Sequence, residues 1–190
     1  MRASLARGDG LALVSGGAAA LGGTLWSIKS LGILIADAEP EYAFAVAPFW
    51  FGLACIGLVR LWEDQRDDRS WQGRATALLA CVAGGVAATA YVVQGDAGVF
   101  SVSVLVAMLA VLAVLLGVGR RIWRAGVFER SSFFPWALAW LMLASIPIGG
   151  ALAALDERLL EVPLLAVGLA WIWLGRLLGE NSSRKQRRDA

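Results

Sequence analysis

The 190-residue sequence predicts an all-α fold, a polytopic membrane helix bundle with six transmembrane helices, and three observations carry that reading. Hydrophobic residues make up 58% of the chain and charged residues 17%, against about 45–50% and about 25% in soluble domains. The charges gather between long apolar runs, each close to the ~20 residues that cross ~30 Å of hydrocarbon. Arginine and lysine, finally, are concentrated on alternate connections, as the retention of positive residues on the cytoplasmic side requires. A transmembrane barrel would instead show ~10-residue segments of alternating polarity, and the sequence has none.

The elements follow in order. MRASLARGDG carries Arg2 and Arg7 ahead of the first apolar run and so resembles the charged start of a signal peptide. The run continues over 11–36, well past a signal-peptide core, and is expected to be retained as the first helix. The later spans are expected over 42–62, 75–94, 97–119, 133–155 and 159–179, making residues 1–180 one membrane domain with a basic cytoplasmic tail at 181–190. A charged connection, EDQRDDRSWQGR, separates the second span from the third, and only GD lies between the third and fourth. The fifth span is expected to start near Phe133, capped by Ser131 or Ser132 and with Pro135 in its first turn.

With both termini inside, the cytoplasmic segments hold Arg2, Arg7, Arg60, Arg66, Arg69, Arg74, Arg120, Arg121, Arg124, Arg130, Arg176, Arg184, Lys185, Arg187 and Arg188. The opposite side holds Arg158 alone, and its turns are acidic: Asp37, Glu39 and Glu41, then Asp96, then Asp156, Glu157 and Glu161. A multi-pass protein of the cell (inner) membrane with cytoplasmic N- and C-termini is therefore expected. A three-hairpin pseudo-repeat is suggested by glycine doublets at 22–23, 84–85 and 149–150. Each doublet is followed by an acidic turn, DAEPE, GD or DERLLE, and then by an arginine in GLVRLW, GRRIW or GRLL.

Helices in lipid associate through close approach at small residues. Ser15, Ala19, Gly23 and Ser27 form such a face on the first span, and Ala80, Gly84 and Ala88 on the third; both faces are expected inside. The Val- and Leu-rich fourth span reads as the most lipid-exposed. Pro48, Pro147 and Pro163 lie in or near span starts, with Pro147 beside Gly149 and Gly150 the best kink candidate. Of nine tryptophans, Trp62, Trp123 and Trp136 fall at predicted inner boundaries, whereas Trp26, Trp50, Trp140 and Trp171 lie deeper. Segment 120–132, RRIWRAGVFERSS, mixes arginines with apolar residues and reads as an interfacial stretch that attracts anionic headgroups at the cytoplasmic face.

Several chemistries are removed by composition. There is no histidine, hence no His-ligated haem or zinc and no Ser-His or Cys-His catalytic pair. Cys55 and Cys81 both sit in apolar runs and read as small buried hydrophobes. No metal site, no cofactor and no nucleic-acid partner is expected, and no phosphate-loop, nucleophile-elbow, zinc-protease or potassium-filter motif occurs.

One residue stands out. Lys29 is the only positive residue placed neither on the cytoplasmic side nor in an outer turn, roughly 12 Å below the first outer turn at about 1.5 Å per residue. An ionisable group within a span costs about 2.5–3.5 kcal/mol at the centre and therefore faces a partner or a cavity. Three readings compete: a structural lysine that snorkels or pairs with Asp37, Glu39 or Glu41, an anion or headgroup contact in an outward cavity, and a catalytic amine. The expected ligand-binding set is Lys29, Trp26, Ser30, Trp50 and Tyr91, and the expected outer acidic cluster is Asp37, Glu39, Glu41 and Asp156. The leading functional expectation is a small-solute or lipid carrier or channel-like protein with Lys29 lining its cavity. The alternatives are an integral membrane enzyme acting on an apolar or isoprenoid-like substrate, and a noncatalytic scaffold or assembly subunit, with a homo-oligomer compatible with each.

Overall fold

The computed structural model describes residues 2–36, 41–66, 71–94, 97–128 and 131–189, with side chains over 14–36, 45–64, 71–93, 97–128 and 131–181. The elements are α1 (Arg2–Leu31), continued by a π-helical turn over Gly32–Ala36, α2 (Glu41–Arg66), and α3 (Trp71–Thr89), continued by a π-helical turn over Ala90–Gln94. Then come α4 (Ala97–Ala125), α5 (Phe134–Ala153), a 3-10 turn over Glu157–Leu160 and α6 (Glu161–Asp189). Among the described residues, six helices are long and apolar enough to cross a membrane, so the chain is a multi-pass membrane helix bundle. In hydrocarbon a helix satisfies every backbone polar group within its own segment.

The helices overrun the apolar windows that announce them. α3 begins at Trp71 rather than near residue 75, α4 runs on through Arg124 to Ala125, and α6 continues through the basic tail to Asp189. Hydropathy measures hydrocarbon thickness, not helix length, and Arg, Lys, Gln and Glu are good helix formers. Segment 120–125 consequently continues α4 for its last turn and a half. α4 stops where Gly126 adopts φ +68°. Its N–H bonds the Trp123 carbonyl, and the Val127 N–H bonds the Ile122 carbonyl, forming a Schellman cap. The expected serine cap of α5 is absent: the residue before the helix is Phe133, with no side-chain cap. Ser132 instead accepts the Phe128 N–H at 2.7 Å and closes the connection.

α1 packs most extensively against α6 and then against α2, while α3 lies outside, against α2 and α4. α1, α2, α4, α5 and α6 thus form a ring whose centre is filled by large side chains, with Trp171, Phe51, Leu58, Leu115, Ile122, Leu138 and Leu174 fully buried. Phe51 of α2 and Trp171 of α6 stack with centroids 4.4 Å apart and planes at 20°, and Trp26 of α1 leans on Phe51 at 5.7 Å. α2 is the most buried span, and α4 and α5 are the least buried, so α4 shares the lipid-facing position expected for it. It nevertheless buries one continuous stripe, Val104, Ala107, Val111, Val114, Val118 and Ile122, at helical spacing.

Small residues set the closest approaches. Ser15, Ala19, Gly23 and Ser27 are all buried. A Cβ on Gly23 would lie 2.5 Å from the Gly168 carbonyl oxygen, and one on Gly175 would lie 2.5 Å from the Gly16 carbonyl oxygen, so α1 and α6 touch backbone to backbone. Gly52 meets the Cys81 backbone and Gly84 the Phe49 backbone in the same manner, while Gly57 meets the Ser15 side chain. The three glycine doublets make unlike contacts: Gly22 and Gly23 face α2 and α6, Gly84 faces α2, Gly149 faces Leu160 and Pro163, and Gly150 is open.

Candidate functional site

The antiparallel α1–α6 contact carries a buried ionic cluster at the end of the bundle away from the chain termini. Lys29 and Ser30 stand on the last turn of α1, and Glu161 opens α6. The Lys29 ammonium is ion-paired with Glu161 Oε1. Ser30 Oγ donates to Glu161 Oε2 at 2.8 Å. Glu161 is 3% exposed, Ser30 is fully buried, and the Lys29 side chain is 12% exposed.

Helix electrostatics favours this placement twice over. A cation near a helix C-terminus and an anion in a first turn each complement the macrodipole of their own helix. Because the two helices run antiparallel, each charge also lies beside the like-signed dipole end of its neighbour, so the favourable terms are those of its own helix and of the ion pair. Taking both charges out of water still costs several kcal/mol per ion, which their pairing and the Ser30 hydrogen bond offset in part. The site is therefore poised: intact it is neutral and satisfied, and losing either partner leaves a buried charge.

One turn deeper on α1, Ser27 Oγ lies against Gly168, and Trp171 Nε1 lies within the aromatic core. Both are buried and, among the described residues, neither has a hydrogen-bond partner. Ser27 stands one helical turn from Ser30 on α1, and Trp171 lies further along α6, stacked on Phe51.

The sequence-expected residues separate into those that meet here and those that do not. Lys29, Trp26 and Ser30 lie together on α1, with Trp26 buried one turn below Lys29. Trp50 is half-buried beside Gly22, edge-on to Phe49. Tyr91 is on the other side of the bundle, where its ring meets Phe100 of α4 at 5.5 Å, because α3 packs outside the ring. Asp156 is exposed and accepts the Arg158 N–H at 2.9 Å, starting the 3-10 turn instead of joining Lys29. Asp37 and Glu39 lie outside the described residues, as does the side chain of Glu41. Among the described residues no three Cys, Asp or Glu side chains come together.

Glu161 is the member of this cluster that the expected ligand-binding set lacks. It reads as one acidic residue of an outer turn, yet it follows the polar triplet Asp156, Glu157 and Arg158 by two leucines and directly precedes the apolar run of α6. That position, inside rather than before the span, was the available signal. A second pair is also invisible in the sequence: Glu63, buried at the end of α2, takes Arg74 of α3 bidentately at 2.6–2.8 Å. Cys55 is fully buried and Cys81 half-buried, both as free thiols.

At the opposite end of the bundle, Leu116, Arg120, Trp123 and Arg124 of α4 and Trp136 and Trp140 of α5 line an open groove of about 580 Å³.

These features define a six-span helical membrane protein with a buried, two-helix ionic site. Compared with protein-family models, curated proteins and solved structures, the chain matches none.

Proposed function

We propose that the protein is a carrier for a small solute or lipid in the cell (inner) membrane, and that Lys29, Glu161 and Ser30 form the lock closing its outer end. The observation carrying this reading is Glu161: a carboxylate 3% exposed, holding the only lysine of the spans together with a buried serine across the α1–α6 contact. Buried ion pairs contribute little net stability compared with apolar packing of the same volume. Placed outside the buried polar groups of Ser27 and Trp171, the pair suits an element that opens and closes. Separating the partners exposes Ser27. Both termini face the cytoplasm in this reading, which the clustering of Arg60, Arg120, Arg121, Arg124 and Arg176 toward the termini end supports. A C-terminal reporter active only in the cytoplasm tests that orientation.

Lock and static brace differ in what Ser27 experiences. In a chain freed of Cys55 and Cys81, Ser27→Cys is labelled with a membrane-impermeant maleimide applied from outside. The lock predicts slow labelling that accelerates when Glu161→Gln or Lys29→Met is added. Unchanged protection in folded lock variants overturns it.

That second outcome supports the scaffold reading, which the backbone contacts at Gly16, Gly23, Gly168 and Gly175 and the filled ring interior favour. The enzyme reading gains no comparable support, since Asp156 caps its own turn and Glu161 is committed to Lys29 and Ser30.

A further inference from the structure

The groove between α4 and α5 combines two chemistries, cationic and aromatic. Arg120 and Arg124 are one turn apart on α4, both exposed, and neither has an ion-pair partner among the described residues. Like charges at this spacing repel, so the pair gains from an anion between them. The remaining lining is apolar and aromatic. Trp123 stacks on Trp136 at 4.9 Å and 25°, and Trp140 meets Trp136 edge-on at 5.8 Å. Gly119 makes this possible, because a Cβ there would lie 2.9 Å from the Trp136 backbone nitrogen. α4 and α5 are also the least buried spans, so the groove opens to the surroundings of the bundle and not into its core.

The vertical order of the lining matters most. The apolar part of α4 ends at Gly119, and the arginines follow immediately. Arg120 and Arg124 therefore lie at headgroup depth, whereas Leu116 and Trp140 extend about one turn, ~5 Å, into the apolar span. We propose that this groove is a binding site for an anionic glycerophospholipid, its phosphate held by Arg120 and Arg124 and the start of an acyl chain laid along Trp140 and Leu116. A guanidinium presents a planar fork of donors that matches phosphate oxygens. A soluble anion uses only the arginines and leaves the tryptophan wall idle. This site is independent of the Lys29 lock, at the other end of the bundle.

Native mass spectrometry of the purified full chain tests the assignment, with phosphatidylglycerol, phosphatidylcholine of the same acyl chains, and inorganic phosphate as probes. Wild type is expected to retain phosphatidylglycerol in preference to phosphatidylcholine and to bind inorganic phosphate far more weakly. Each of Arg120→Gln and Arg124→Gln should weaken phosphatidylglycerol about 5-fold, and the pair about 30-fold. Trp140→Leu should weaken the lipid and leave inorganic phosphate unchanged. Arg60→Gln, at an exposed arginine on α2, is the control for general positive charge. An arginine pair variant within about twofold of wild type, or an equal loss in Arg60→Gln, overturns the proposal. So does a double variant that dissociates a dimer without altering lipid retention, which assigns the groove to a second copy of the chain. Because both arginines are exposed, an unchanged thermal midpoint is expected for these variants and separates lost binding from lost fold.

Discussion

Lys29 of α1 is ion-paired with Glu161 of α6, 132 positions away in the chain, and Ser30 occupies the second oxygen of the same carboxylate. Removing one charge strands the other in a dry contact. Lys29→Met and Glu161→Gln are each expected to destabilise the bundle by about 3 kcal/mol. The double variant should recover most of that loss. Equilibrium unfolding in detergent reads the cycle, and strictly additive losses would refute mutual dependence.

Backbone contact between α1 and α6 makes a second prediction. Gly23→Ala and Gly175→Ala each drive a methyl group into backbone atoms 2.5–2.8 Å away, with no flexible side chain to yield. A cost of about 1–3 kcal/mol is expected for each. Gly117, also helical, has nothing within 4 Å of an added Cβ. Gly117→Ala should therefore be neutral or raise the thermal midpoint, since alanine is the better helix former by about 1 kcal/mol. Equal midpoints for Gly23→Ala and Gly117→Ala would contradict the contact.

The two thiols report separately on packing. Cys55 is fully buried in the core, while Cys81 is half-buried on the α2–α3 contact beside Gly52. A small maleimide in mild detergent is expected to modify Cys81 slowly and Cys55 only after denaturation. Mass spectrometry of tryptic fragments distinguishes them; equal rates in the folded protein would show that the packing around α2 is open.

Two ion pairs near the termini end differ in worth. Glu63 is buried and receives Arg74 bidentately, whereas Arg176 and Glu180 form an exposed pair one turn apart on α6. Exposed pairs of that kind contribute little. Glu63→Ala is expected to lower the thermal midpoint clearly, and Glu180→Ala to leave it nearly unchanged. Reversal of that order would show that the α2–α3 connection is held by something else.

Six spans are legible because hydrophobicity and helical hydrogen bonding are local: a run of twenty apolar residues is a helix in lipid whatever it packs against. The small face of Ser15, Ala19, Gly23 and Ser27 is legible for the same reason, since spacing of four on one helix needs no partner to be recognised. The oddity of Lys29 was equally visible, as the cost of an intramembrane charge depends on the residue and its depth alone. Its partner was not visible. Asp37, Glu39 and Glu41 are the neighbours in sequence, but which carboxylate reaches Lys29 depends on which helix lies against α1, and glycine backbone contacts bring α6 there. Tyr91 shows the converse, a polar residue at the right depth that the outward position of α3 sends to Phe100. The groove of Arg120, Arg124 and Trp140 likewise joins two spans whose register is set by Gly119 against Trp136. What each span is follows from solvation and hydrogen bonding within it. Which residues share a site follows from helix contacts, and those arise only once the spans have packed.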